Sequence, residues 1–197
     1  TFLGNNLKAT DGEIALAFST QSWGAIIAPF VIGIIADRYF NAERILGVLH
    51  ILGGVLMYFM YGATEFDDFY ILVLGYMILY MPTLVNSVSF NQMKNPAKEF
   101  SLVRVFGTLG WVIAGLSISY VFNWDQGINI GDGLLRNTFL MTAIASAILG
   151  VFSFTLPKTP PRAATTGKIS FKEILGLDSL TLFKDKNFLI FFMSSVK

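Results

Sequence analysis

Three side chains that can bind a polar ligand share one face of a predicted helix. Arg104, Thr108 and Trp111 occupy positions i, i+4 and i+7. At roughly 100° per residue they project within an arc of about 60°. A guanidinium, a hydroxyl and an indole therefore point the same way, and Gly107 and Gly110 beside them would let a backbone or a ligand approach closely.

Arg104 stands at the start of an apolar run that continues to Trp124. An arginine within hydrocarbon is costly, so it either reaches water or meets a partner. One interpretation is that Arg104 binds a ligand together with the two side chains above it. The other is that Arg104, about one turn into the membrane, extends back to cytoplasmic water while Trp111 only packs.

A second polar face lies in the cytoplasmic half of the third apolar run, after Pro82. Its members are spaced at i, i+3, i+4 and i+7, which is typical of one face of a helix. They are Thr83, Asn86, Ser87 and Phe90. This face either lines a wet cavity or fastens neighbouring helices together.

The composition indicates a membrane protein. Of 197 residues, 54% are hydrophobic and only 14% are charged, and the mean hydropathy is +0.61. A soluble domain usually has about a quarter of its residues charged. The net charge of +1 gives no reason to expect nucleic-acid binding, and the absence of cysteine excludes disulfides and thiolate metal sites.

Runs of about 20 residues without charge, the length that crosses a bilayer, recur along the chain. We predict five spans and the start of a sixth, with residues 1–3 as the end of an earlier one. The five spans are 14–36, 45–63, 69–93, 105–124 and 137–157, and the sixth begins at 188.

Lysine and arginine in the loops predict the orientation. One set of loops holds ten of them, whereas the other holds only Lys8 and Arg136. The first set is predicted to be cytoplasmic, which places the turns 64–69 and 125–133 outside. The long segment 158–187 is predicted to be a cytoplasmic loop containing an amphipathic helix at the membrane interface, with a disordered loop as the alternative.

The turn "GIIADR" resembles the loop signature of the major facilitator superfamily. Gly33, Asp37 and Arg38 match the pattern Gly-x-x-x-Asp-Arg/Lys-x-Gly-x-Arg/Lys-Arg/Lys. The glycine and the two basic residues that follow in the pattern are replaced here by Phe40, Ala42 and Glu43.

Five further stretches resemble the nucleoside:proton symporter family within that superfamily, in the family's order and over nearly the whole chain. They are "PFVIGIIADR" (29–38), "YMPTL" (80–84), "RVFGTLGW" (104–111), "TLP" (155–157) and "ILGLDSLTLFKDK" (174–186). The resemblance implies an all-α bundle of the N-terminal six-helix half, lacking most of helix 1. It would comprise the membrane bundle (1–157), the central cytoplasmic loop (158–187) and the start of helix 7 (188–197).

The resemblance also implies the function. The family consists of bacterial inner-membrane permeases that take up nucleosides with protons by alternating access, in which two halves rock about a central site. This chain's partners would then be a nucleoside, protons, the lipid bilayer and the C-terminal half, with no cofactor and no metal. Arg104, Thr108 and Trp111 match the substrate-facing positions of the helix 5 motif, and Gly33, Asp37 and Arg38 match the loop that gates the conformational change.

A nucleoside suits these residue types, because it has a flat base to stack on an indole and carbonyls and hydroxyls that accept hydrogen bonds from a guanidinium. Helix 4 departs from the family by two residues between "MPTL" and "NS", about 200° of helix, so no helix 4 residue is assigned to the site. His50 is the only histidine, and we interpret it as a packing residue rather than a proton carrier. Asp37 and the loop acids apart, no carboxylate is expected to be buried, so the proton-coupling acid should lie outside this chain.

Two other functions remain open from the sequence. A sugar permease of the same superfamily would also use arginine and tryptophan, for sugar hydroxyls and rings. A membrane structural protein would use its polar faces only to hold helices together. An enzyme is not expected, because the spans contain neither acids nor cysteine, nor Ser/His pairs at hydrogen-bonding spacing.

Overall fold

The computed structural model describes residues 2–28, 41–79, 85, 88–90 and 92–160. Within these ranges the chain forms helices and no strands, as expected. The helices are α1 (Phe2–Asn5), α2 (Asp11–Ala28), α3 (Ala42–Gly62), α4 (Phe66–Leu79), α5 (Pro96–Leu116), α6 (Gly127–Gly131) and α7 (Asn137–Ser153). A π-helical segment, Ser117–Val121, extends α5, and a short 3-10 turn, Leu134–Arg136, precedes α7.

Three of the five predicted spans are seen as helices long and apolar enough to cross a membrane. They are Ala42–Gly62, Lys98–Val121 and Leu134–Ser153. The described parts of the other two are α2, with 18 residues, and α4, with 14. The interfacial helix and the start of helix 7 lie among residues 161–197, outside the described part of the chain.

Helices begin earlier than the apolar runs that predicted them, because polar residues cap their first turns. At α2, the Thr10 N–H and hydroxyl both donate to a Glu13 carboxylate oxygen, at 2.7 and 2.8 Å. In return, the Glu13 N–H donates to the Thr10 hydroxyl oxygen. This reciprocal capping box starts the helix at Asp11 rather than at residue 14. These hydrogen bonds also lower the pKa of Glu13.

Close contact between α3 and α7 forms the centre of the bundle. A Cβ atom built on Gly150 would lie 2.7 Å from Ile51 Cγ1 and 3.0 Å from the Gly47 carbonyl oxygen. One built on Gly54 would lie 3.1 Å from the Ala143 carbonyl oxygen. Glycine at these places lets the two backbones approach, as small residues do in membrane helix pairs. The Ser146 hydroxyl adds a hydrogen bond to the His50 carbonyl oxygen, at 2.8 Å.

Aromatic packing joins four helices at the predicted outer end. The rings of Phe2, Phe69 and Phe139 lie with centroids 4.9 to 5.6 Å apart, in tilted and edge-to-face arrangements. Met60, fully buried, belongs to the same cluster. Since these residues come from α1, α3, α4 and α7, the cluster positions the first helix against the rest of the bundle.

A buried carboxylate ties the predicted cytoplasmic ends of α3 and α7. Glu43, expected in a loop, lies in the first turn of α3 and is only 3% exposed. The Thr159 N–H donates to Glu43 Oε2 at 2.8 Å, and the Ala42 N–H donates to the Thr159 carbonyl oxygen at 3.0 Å. Glu43, a loop acid that the sequence analysis set apart, is therefore a buried residue that accepts a backbone N–H in the first turn of α3.

We predict that Gly150→Ala destabilises the protein by about 1 to 3 kcal/mol, because its Cβ meets backbone atoms of α3 and forces the helices apart. Thermal unfolding in detergent measures the change. Gly115→Ala is the control, since nothing lies within 4 Å of a Cβ there, and it should be neutral or slightly stabilising. Equal unfolding of Gly150→Ala and the parent would contradict close packing.

We also predict that Glu43→Ala lowers the free energy of unfolding by about 1 to 3 kcal/mol, because it leaves the buried Thr159 N–H without its acceptor. Glu43→Gln retains an oxygen acceptor and should cost less. Hydrogen exchange at the Thr159 amide is the specific readout and should accelerate in Glu43→Ala. Glu65 is exposed, so Glu65→Ala should leave the exchange rate of the Thr159 amide unchanged. Faster exchange in both variants would argue against the hydrogen bond between Glu43 and Thr159.

Candidate functional site

The helix that carries the candidate site, α5, begins well before its apolar run. Pro96 occupies the first turn, and the Asn95 N–H donates to Glu99 Oε1 at 3.1 Å. Proline suits this position because its missing N–H would have no helical partner there. Arg104 is thus eight residues along an established helix, about 12 Å from its start.

The depth of the three side chains follows from the helix rise. Measured along the helix axis from Lys98, where the candidate span begins, Arg104 lies about 9 Å away and Trp111 about 20 Å. The whole span of 24 residues is about 36 Å long, so Trp111 is close to its middle. The candidate face therefore extends from the cytoplasmic third of the span to its centre.

All three predicted substrate-facing residues are exposed on α5. Trp111 is 78% exposed, and exposure continues over every residue from 101 to 113. The Thr108 hydroxyl donates to the Arg104 carbonyl oxygen at 3.1 Å. Its proton is therefore used within the helix, and the Thr108 oxygen presents its lone pairs outward as an acceptor.

The Arg104 guanidinium has its donors available. Within the described ranges, no carboxylate or carbonyl forms a hydrogen bond or an ion pair with this side chain. A guanidinium carries five N–H donors in a planar fork, which matches paired acceptors on a ligand. The face thus offers donors at Arg104, an acceptor at Thr108 and a flat apolar ring at Trp111.

Space around the helix agrees with the predicted approach of a ligand or a backbone. A Cβ atom built on Gly107 or Gly110 would find nothing within 4 Å among the described atoms. The surface of α5 at these two glycines is therefore accessible to a ligand or to another helix. Nothing in the described bundle fills the volume beside them.

Two groups of predicted functional residues fall outside the described ranges. The loop residues Gly33, Asp37 and Arg38 belong to 29–40, and most of the polar helix 4 face belongs to 80–84 and 86–87. Their assignments stay predictions. Across the described residues, no group of three or more His, Cys, Asp or Glu side chains is arranged to hold a metal ion.

His50 lies in α3, on the interface with α7 rather than on the candidate face. Its Nε2 atom is buried and has no hydrogen-bond partner in the described structure, and its carbonyl oxygen accepts the Ser146 hydroxyl. Sequence reasoning missed the contact of His50 with Ser146, since the two residues are 96 positions apart. The His50 backbone is thus engaged by α7, and the packing role of the imidazole stays a prediction.

Comparison with known proteins identifies the family. The family model described as "Nucleoside H+ symporter" matches residues 1–196. The chain belongs to this family. The resemblance drawn from the short motifs is therefore confirmed, and the fold class with it.

Individual members of the nucleoside H+ symporter family show the same relationship. The chain is 42% identical over 187 residues to YegT of Escherichia coli (strain K12), which is named as a nucleoside transporter. It is 29% identical over 201 residues to the xanthosine permease of the same strain. These matches cover 93% and 98% of this chain but 43% and 45% of the relatives.

A solved structure agrees in fold. The crystal structure of the D323A mutant of the nucleoside transporter NupG superposes with a TM-score of 0.77 at 28% identity, covering 98% of this chain and 47% of that one. The chain thus spans less than half the length of the relatives it matches. Those relatives are named as transporters and permeases, not as enzymes.

We predict that His50→Gln in a complete transporter leaves the pH dependence of uptake nearly unchanged, because His50 lies on α3, on a helix other than the one that carries the candidate face, and we interpret it as a packing residue. Uptake measured in proteoliposomes from about pH 5 to 8 brackets the usual titration of histidine. The variant should also keep its substrate affinity. Loss of proton coupling in a folded variant would identify the histidine as the carrier.

Proposed function

We propose that this chain is the N-terminal half of a permease that takes up nucleosides with protons across a bacterial inner membrane. The second half would come from the C-terminal part of the same transporter, and the two would alternate access to a site between them. Support comes from the family, whose description names nucleoside and proton, and from relatives named for nucleoside transport. The apolar spans support residence in a bilayer.

The observation that carries the proposal is the exposed α5 face with Arg104, Thr108 and Trp111. A nucleoside is uncharged and offers carbonyls and ring nitrogens as acceptors, ribose hydroxyls as donors and a flat base. Arg104 supplies donors, Thr108 supplies an outward lone pair, and Trp111 supplies a surface for stacking. From Arg104 to Trp111 the face extends about 10 Å along the helix, long enough for one ligand to touch both.

The neighbours of Arg104 on its face favour ligand binding over an interfacial anchor. Arg104 lies at the start of the apolar run, about 9 Å along the helix from Lys98. An anchor would explain Arg104 alone but not the hydroxyl and indole that share its arc. A site between the halves supplies both water and a partner for the guanidinium, which removes most of the cost of placing a cation there.

The proton would move through groups outside this chain. The acids of the described membrane helices all lie in first turns: Asp11 and Glu13 in α2, Glu43 in α3, Asp67 and Asp68 in α4, and Glu99 in α5. Glu43 accepts the Thr159 N–H, and Glu99 accepts the Asn95 N–H at the start of α5, before the candidate face. Gly33, Asp37 and Arg38 are proposed to act at the cytoplasmic gate, as the superfamily signature they match implies.

We predict that Arg104→Lys and Trp111→Ala each weaken nucleoside binding to the complete transporter by about tenfold or more. Lysine keeps the charge but lacks the planar fork, and a charged hydrogen bond contributes about 1.5 to 3 kcal/mol. Stacking of a base on an aromatic ring contributes about 1 to 3 kcal/mol in nucleic-acid-binding proteins. Isothermal titration with a panel of nucleosides, nucleobases and sugars is the measurement.

Phe106→Ala is the matched control for Trp111→Ala. Phe106 is also an exposed aromatic on α5, 65% exposed, but it projects from roughly the opposite side of the helix. Its removal should leave binding within about twofold, since it loses no contact to the ligand. Parent-like binding by Arg104→Lys would make the arginine an interface anchor, and binding of sugars in place of nucleosides would make the protein a sugar permease.

A further inference from the structure

A cavity of about 560 Å³ lies far from the α5 face, where the predicted outer end of α3 meets the first turns of α4. Its walls combine three aromatic rings, one carboxylate and aliphatic side chains. Those that matter here are Tyr58, Phe59, Tyr61, Gly62, Asp68 and Ile71. The volume is in the range that holds a small ligand or a lipid headgroup.

The charge of the cavity selects for a cation. Asp68 contributes a carboxylate, and aromatic faces attract cations through their quadrupole. Glu65 and Asp67 add negative charge to the same turn, and the sequence from 45 to 93 contains neither lysine nor arginine. An anionic headgroup would meet repulsion here, whereas a primary ammonium would find a carboxylate acceptor and ring faces.

The position of the cavity selects for a lipid. Its aromatic residues belong to the last two turns of α3, where a membrane-spanning helix reaches the headgroup region and tyrosine is common. Below it runs an apolar stripe with i, i+3, i+4, i+7 and i+11 spacing, whose members are exposed although Ile51 also contacts α7 at Gly150. The stripe comprises Val48, Ile51, Leu52, Val55 and Phe59.

We propose that this cavity binds the headgroup of an aminophospholipid of the outer leaflet. The ammonium lies against the Asp68 carboxylate and the tyrosine rings, and the acyl chains follow the α3 stripe from Phe59 downward. Ile71, 68% exposed, forms the opposite apolar wall on α4. The site is distinct from the proposed nucleoside site and does not depend on it.

Two neighbouring aspartates provide a matched pair of variants. Asp67 and Asp68 both lie in the first turn of α4, so they interact alike with the helix dipole, but only Asp68 lines the cavity. Gly62 provides a variant that keeps every charge. A Cβ atom there meets nothing within 4 Å, so Gly62→Leu should fold and project its side chain into the cavity.

The test is native mass spectrometry of the purified complete transporter with phosphatidylethanolamine and phosphatidylglycerol of identical acyl chains. The parent should retain phosphatidylethanolamine at least about fivefold better, the effect of one partly desolvated cation contact. Asp68→Asn and Gly62→Leu should each abolish this preference, Asp67→Asn should keep it, and free ethanolamine should not displace the lipid.

Other outcomes would overturn the proposal. Equal retention of the two lipids would mean that the cavity binds acyl chains without recognising the headgroup. A preference that survives both Asp68→Asn and Gly62→Leu would mean that the lipid binds elsewhere. Equal losses of the preference for phosphatidylethanolamine in Asp67→Asn and Asp68→Asn would attribute that preference to general surface charge. Displacement by ethanolamine alone would make the ligand a soluble amine rather than a lipid.

Discussion

The backbone contact between α3 and α7 is the constraint on which the rest of the bundle depends. Gly47, Gly54 and Gly150 remove the side chains that would hold these helices apart, and van der Waals contact then acts over the length of both. In lipid, an apolar side chain gains little free energy when it moves from the acyl chains to another helix. Close van der Waals contact between helices therefore stabilises the bundle where the hydrophobic effect does not. Glu43 and the phenylalanine cluster close the two ends of the same interface.

The α5 helix has the opposite character. It contributes an exposed helix in which Cβ atoms built on Gly107 and Gly110 would meet nothing within 4 Å, whereas Cβ atoms built on Gly54 and Gly150 would meet backbone atoms of the facing helix. Glycine thus has two physical uses in one chain, tight packing in the bundle and open space beside the polar face. A helix that presents a guanidinium, a hydroxyl and an indole needs that space, because a packed interface would leave no room for a ligand.

Periodicity and local chemistry predicted much of this from sequence. The apolar runs located three spans that the structure shows. The i, i+4, i+7 spacing of Arg104, Thr108 and Trp111 predicts one face of α5, and the structure shows this part of the helix exposed on all sides. Hydropathy could not place the helix starts, because Thr10 with Glu13 and Asn95 with Glu99 begin helices through polar caps. The capping box was visible as Thr-x-x-Glu, so this signal was available.

Contacts between distant residues could not be predicted in the same way. Nothing local in the sequence joins Ser146 to His50 or Thr159 to Glu43, which are 96 and 116 positions apart. The one hint was Glu43 itself, an acid where the superfamily signature has a basic residue. An acid between two predicted spans is expected to face solvent, whereas in the structure the Glu43 carboxylate is buried and accepts the Thr159 N–H.

The difference between the packed α3–α7 pair and the exposed α5 helix also affects the free energy of ligand binding at the proposed site. A guanidinium at the start of an apolar run, about 9 Å along the helix from Lys98, carries a desolvation cost that water or a ligand must offset. In the proposed site a nucleoside would displace that water, and the acceptors of its base would pair with a cation that has no hydrogen-bond partner among the described residues, which strengthens the hydrogen bonds. An uncharged ligand suits this site, because it satisfies the donors of Arg104 without requiring a second buried charge. The rigid α3–α7 pair, which contributes no group to that face, can then serve as the frame against which the site is held.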